Sequence, residues 1–163
     1  MEQAQVLTFL NNKDRDLLLQ FCGYSTTEPL HSFGPAVRPH YIIHFILNGK
    51  GIFQIREKTY HLETGQGFLI EPDELTFYQS DAQEPWEYLW IGFNGKMIPE
   101  FLKQIGLSSA HPIFHCDKKK ELYWLVNNML VHSKSNFSSD LRRTGLLYEF
   151  LSILALNPLE SDQ

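Results

Sequence analysis

The sequence predicts a mainly β protein, an antiparallel sandwich or barrel followed by two or three C-terminal helices. Between Leu17 and Gly95, short apolar stretches alternate with turn signals at close spacing and no helical pattern intervenes. After Gly95 the apolar residues recur at three- and four-residue intervals instead. The third observation is Pro85–Gly95, PWEYLWIGFNG. In an extended strand Trp86, Tyr88 and Trp90 share one face while Leu89, Ile91 and Phe93 share the other, so both faces need cover. One of those faces carries indole N–H and phenol O–H groups that require polar partners when buried. A small polar molecule is one source of such partners; an ordinary core is the other reading of a Trp/Tyr stripe.

In chain order, residues 1–16 read as an N-terminal arm, polar with scattered Val6, Leu7, Phe9 and Leu10, that packs on the rest or frays. Leu17–Tyr24 reads as a buried strand, and Ser25–Pro39, rich in Pro, Gly, Ser and Thr, as a loop carrying His31 and Arg38. Tyr41–Leu47, the Asn48-Gly49-Lys50-Gly51 turn and Ile52–Arg56 together predict a β-hairpin. Thr59–Leu62, Phe68–Ile70 and Leu75–Gln79 follow as short strands, the latter two separated by the turn Glu71-Pro72-Asp73-Glu74. Ser80–Glu84 is a loop before the aromatic strand. Ile98, Phe101, Leu102 and Ile105 predict a first helix stopped by Gly106. A second runs from Lys118 to about Ser133, and a third starts at Ser138 or Ser139 and ends at Asn157-Pro158. The apolar surface of this last helix is wide. Leu147, Leu151 and Leu154 form a seam, with Leu141 and Tyr148 nearby, that predicts a contact with a second subunit; a seam packed entirely on its own chain is the other reading.

Composition narrows the function. The 163 residues suffice for one domain with a sizeable core. No apolar run approaches a membrane span, no secretory signal is visible, and two isolated cysteines suit reduced thiols; a cytoplasmic protein without membrane contact is expected. A net charge of −5 disfavours direct contact with phosphate backbones. No metal, cofactor or catalytic residue is expected. Seven histidines invite a metal site, but no His-x-His occurs, and His40 and His44 lie about 13 Å apart along a strand. No nucleophile elbow and no phosphate loop is present. What remains is a pocket for a sugar, whose C–H face suits Trp or Tyr and whose hydroxyls suit Arg or Glu: Trp86, Trp90, Tyr88, Tyr78, Arg38 and Glu71 are the candidate set.

Three ordered runs, RPHYIIHFILNGKGIFQI, YHLETGQGFLIEPDELTFY and EPWEYLWIGFNG, resemble the N-terminal regulatory domain of AraC/XylS-family transcription regulators. The resemblance implies a cupin-like antiparallel β-barrel, a jelly roll, over residues 17–95. It further implies a helical dimerisation segment over 96–158, a sugar effector inside the barrel, and a homodimer. In the arabinose-responsive member, the sugar is held by an arginine before the first main strand, a tyrosine after the Pro turn and a His-x-Trp pair. Tyr78 matches that tyrosine and Trp90 that tryptophan; Tyr88 replaces the histidine, and Arg38 lies near the arginine. The run HSFGPAVRPHYIIHFILNGKG is most similar to members that control α-galactoside or multiple-sugar use in Gram-positive bacteria. Nothing after Pro158 reads as a helix-turn-helix, so DNA would be met only through a downstream domain. A cupin-fold sugar-modifying enzyme, such as an isomerase, is the alternative reading.

Overall fold

A computed structural model describes residues 2–6 and 15–156. Among the described residues, ten strands form two antiparallel sheets: β1 (Glu2–Val6), β2 (Leu18–Thr26), β3 (Ser32–Val37), β4 (Tyr41–Asn48), β5 (Lys50–Ile55), β6 (Lys58–Glu63), β7 (Gln66–Ile70), β8 (Leu75–Ser80), β9 (Glu87–Asn94) and β10 (Ile113–His115). The six-stranded sheet has the order β1-β2-β9-β4-β7-β10 and the four-stranded sheet β3-β8-β5-β6. Three helices, α1 (Ile98–Ile105), α2 (Lys119–Val131) and α3 (Phe137–Leu154), follow the barrel. The fold class is the one the sequence predicts.

Period two in β4 and β9 builds two cores from one sheet. Ile42, Ile46, Trp86 and Tyr88 turn inward and meet Phe53, Ile55, Leu62 and Tyr78 of the smaller sheet. Ile43, Phe45, Leu47, Leu89, Ile91 and Phe93 turn outward and are covered by the helices through Leu102, Leu125, Val126, Met129, Leu147 and Phe150. A strand with both faces dry is therefore the hinge between barrel and helices. The ends of the chain's elements are tied to this frame. Arg15 donates to Asp140 Oδ2 at 2.7 Å and to Thr144 Oγ1 at 2.8 Å, and buried Arg143 donates to the carbonyls of His132 and Lys134 just beyond α2. Asn136 caps α3, accepting from Ser139 N–H at 2.8 Å, and Gly106 closes α1 in the left-handed region at φ 95°.

The structure corrects several expectations. Tyr41–Arg56 is not a hairpin: β4 pairs with β7 and β9, β5 with β6 and β8, so Gly49 carries the chain from one sheet to the other. The crossing is tight. Gly49 has φ 81°, a Cβ there would lie 2.4 Å from the Pro85 carbonyl oxygen, and Lys50 N–H donates to Glu84 O at 3.0 Å. The local hairpin is β5–β6, turned by Arg56 and Glu57 at φ 50° and 64°, residue types that give no turn signal in sequence. The stretch read as the Ser25–Pro39 loop contains β3, an exposed edge strand whose ladder with β8 is interrupted between Phe33 and Ala36, where Gly34 and Pro35 intervene. β1 pairs with β2, and residues 7–14 of the expected arm lie outside the described residues. Leu147, Leu151 and Leu154 are 0%, 6% and 7% exposed, packed into the core beneath the sheet. They cannot form the expected subunit seam, because the helix turns its fullest apolar stripe inward. Leu141 and Tyr148 remain exposed on the other side of α3.

Candidate functional site

The strands that flank the aromatic stripe position the site. A bulge in β2 between Leu19 and Phe21 resets the alternation: Leu19 and Cys22 face the helices, while Phe21 swings into the barrel. There its ring lies on Gly92 of β9, where a Cβ would come within 2.1 Å of Phe21 Cζ. In the adjoining register His44 of β4 stands between Phe68 of β7 and Trp90 of β9. From the smaller sheet, Tyr78 of β8 approaches this row, its ring centroid 4.7 Å from that of His44 and 5.5 Å from that of Phe68.

These side chains enclose a cavity of about 310 Å³. Phe21, Ile42, His44, Tyr88 and Trp90 form the wall on the larger sheet, Tyr78 stands opposite, and His31, Phe33 and Arg38 rim the mouth. The Arg38 guanidinium lies 4.9 Å from the Phe33 centroid and 5.7 Å from that of Phe21, a cation–π seat that holds it over the opening. A larger hollow, about 640 Å³, lies against Lys50, His61, Gln66, Gln79 and Asp81, but no Phe, Tyr or Trp ring lines it. The smaller cavity has the stacking faces expected for a sugar ring, so it is the better candidate.

Electrostatically this is a nearly neutral room with one cation at its door. Burial, reinforced by Arg38, pushes the His44 imidazole down to about 3, so at neutral pH the ring is uncharged, with one nitrogen donating and one accepting. Burial raises the Tyr78 phenol to about 12, against smaller opposing effects of Arg38 and a hydrogen bond from Tyr88, and it remains a neutral hydroxyl. Edge-on against Phe21, His40 has its pKa lowered by burial and then by Arg38, and its Nδ1 lies 2.9 Å from Asn94 Nδ2. Among the described residues, two buried side-chain nitrogens, His44 Nδ1 and Trp86 Nε1, have no hydrogen-bond partner. Among the described residues, no three His, Cys, Asp or Glu side chains come together to hold a metal ion.

Four of the six residues expected at the site, Arg38, Tyr78, Tyr88 and Trp90, converge on the cavity. Trp86 does not: it is 0% exposed, stacked behind Tyr88 at 5.7 Å and over Gly51, as part of the barrel core. Glu71 does not either. It sits in the turn after β7 and accepts a hydrogen bond from Ser109 Oγ, away from the lining. Sequence reasoning missed Phe21, hidden by the bulge; His31 and Phe33, just before and on a strand that reads as loop; and His44, weighed only as a metal ligand.

Residues 18–151 match the family described as AraC-like ligand binding domain. The Msm operon regulatory protein of Streptococcus mutans is 37% identical over 143 residues, 85% of this chain and 50% of that protein. The raffinose operon transcriptional regulatory protein of Pediococcus pentosaceus is 36% identical over 157 residues, 93% of this chain and 57% of that protein. The lactose operon transcription activator of Staphylococcus xylosus is 29% identical over 141 residues. The chain thus spans about half the length of the curated relatives it matches. Among solved structures, YhaK of Escherichia coli is similar in fold, with a TM-score of 0.50 at 12% identity over 60% of this chain and 46% of that chain.

Proposed function

Since the chain belongs to the family of AraC-like ligand-binding domains, we propose that it is the effector-binding and dimerisation part of a cytoplasmic, sugar-responsive transcription regulator. Its effector is a sugar of the α-galactoside kind, bound in the cavity between the sheets. The observation that carries this reading is the cavity itself: stacking faces from Trp90 and Tyr88, hydroxyls from Tyr78 and Tyr88, and a guanidinium at the mouth. Its volume of about 310 Å³ is at the small end of ligand sites, roughly 300–1,000 Å³. That suits one sugar ring held deep, with any further ring extending past Arg38. The names of the relatives, operon regulators for raffinose and lactose among them, support a sugar effector and a binding role over an enzymatic one.

The reading also includes a homodimer, because a regulator of two DNA half-sites needs two-fold symmetry, and contact with DNA through a part of the protein outside this chain. The exposed stripe of α3 that holds Leu141, Gly145 and Tyr148 is the surface we assign to the second copy. No atom lies within 4 Å of where a Gly145 Cβ would stand, which leaves room for another helix to come close. The test of the central claim is a titration of the chain with raffinose, galactose, arabinose and glucose, followed by tryptophan emission. Trp90 lines the cavity, so a bound sugar changes its signal saturably. A folded protein that responds to none of the four would defeat the proposal.

A further inference from the structure

We infer that His44 recognises a hydroxyl of the bound sugar from the cavity wall, an inference that rests on the effector-binding role proposed above. The side chain is 3% exposed, it lines the cavity, and its Nδ1 is buried without a hydrogen-bond partner. Packing does not call for a nitrogen there. The ring stacks on Phe68 at 4.6 Å and 12° and on Tyr88 at 5.2 Å and 23°, contacts that phenylalanine would make equally well. A buried polar atom left unpaired is costly, and most such atoms in folded proteins do find a partner. His44 lines the cavity, so a ligand bound there is the available partner for the nitrogen that the fold leaves unpaired.

The chemistry of the partner follows from the surroundings. Arg38 is the fixed charge facing His44, Tyr78 and Tyr88 are the phenols packed against it, and no carboxylate lines the cavity to hold an imidazolium. The ring is therefore neutral and offers one acceptor and one donor. A sugar hydroxyl, which both donates and accepts, is complementary to either nitrogen; an ammonium or a second cation is not favoured beside Arg38. A half-turn about Cβ–Cγ keeps the ring in its plane between Phe68 and Tyr88 while carrying Nδ1 across to the other edge. Recognition thus needs no backbone movement.

His44→Phe separates this role from a structural one. The unliganded variant is expected to melt at or above the wild-type temperature, because an unpaired nitrogen has been removed from the core. Its affinity by calorimetry for whichever of raffinose, galactose, arabinose and glucose the wild type binds is expected to fall about tenfold or more. Unchanged affinity, or a variant that melts well below wild type, would overturn the inference. A second readout uses the unaltered chain: in imidazole ¹⁵N spectra, saturating sugar should shift the His44 resonances while exposed His61 stays in place, and an unmoved His44 would equally overturn it. A wild-type chain that binds none of the four sugars would remove this inference together with the effector role. Binding that survives in His44→Phe removes this inference alone.

Discussion

Trp90 is half-buried at the cavity wall, opposite His44 in the β4–β9 register, with its ring 5.6 Å from that of Tyr88. A sugar laid against it buries a C–H face on the indole. Trp90→Ala should therefore weaken sugar binding by about 1–3 kcal/mol, measured by calorimetry, with little loss of fold because the residue is not fully enclosed. The pH behaviour of the domain is decided one row away. Unfolded His44 titrates near 6.5 and folded His44 near 3, so between those values the unfolded chain holds a proton that the folded chain does not. Stability contributed by the neutral ring is complete above pH 6.5 and is lost as pH falls toward 3, at about 1.4 kcal/mol per pH unit through the middle of that window. Arg38 reinforces the effect, and Tyr78, pushed up to about 12, stays uncharged throughout the window. Denaturant unfolding between pH 7 and 4 should show this slope in the wild type and a slope shallower by that amount in His44→Phe.

Among elements, β9 and β2 show what was legible in the sequence and what was not. Strict alternation made β9 readable, including the division of Trp86, Tyr88 and Trp90 from Leu89, Ile91 and Phe93. Phe21 was unreadable, because Leu17–Tyr24 is apolar without a period and only the bulge after Leu19 decides which side each residue takes. The same ambiguity concealed the crossing at Gly49: an Asn-Gly turn between two strands looks alike whether the strands pair or lie in different sheets. Nor does helical spacing distinguish Leu147 and Leu151 facing their own sheet from the same residues facing another copy. The Phe21–Gly92 contact can be tested directly. Gly92→Ala places a methyl inside the Phe21 ring's space, which should cost on the order of 1–3 kcal/mol in unfolding experiments and loosen the seat of Arg38, lowering sugar affinity as well. Adding Phe21→Leu should restore stability without restoring affinity. A Gly92→Ala protein with wild-type stability would show that the contact is not tight.

At the scale of the whole molecule, the surface proposed for assembly and the stripe that holds the fold lie on opposite sides of α3. Leu147→Glu buries a charge in the core and should unfold the chain, whereas Leu141→Glu with Gly145→Glu alters only the exposed side. Sedimentation of the wild type at tens of micromolar should give a dimer, and the Leu141/Gly145 variant a folded monomer that still binds sugar. A wild-type monomer, or a variant dimer, would place the two-fold contact elsewhere. The double-sided sheet gives this arrangement a further consequence. Along β9, Trp90 touches the cavity and its neighbour Ile91 touches the helical core, so the route from ligand to helices is a single peptide unit long. Any tilt that a sugar imposes on the even-numbered residues is passed to the odd-numbered ones as a rocker passes motion across its pivot. Occupancy of the barrel should then be felt in α2 and α3 as slowed amide exchange.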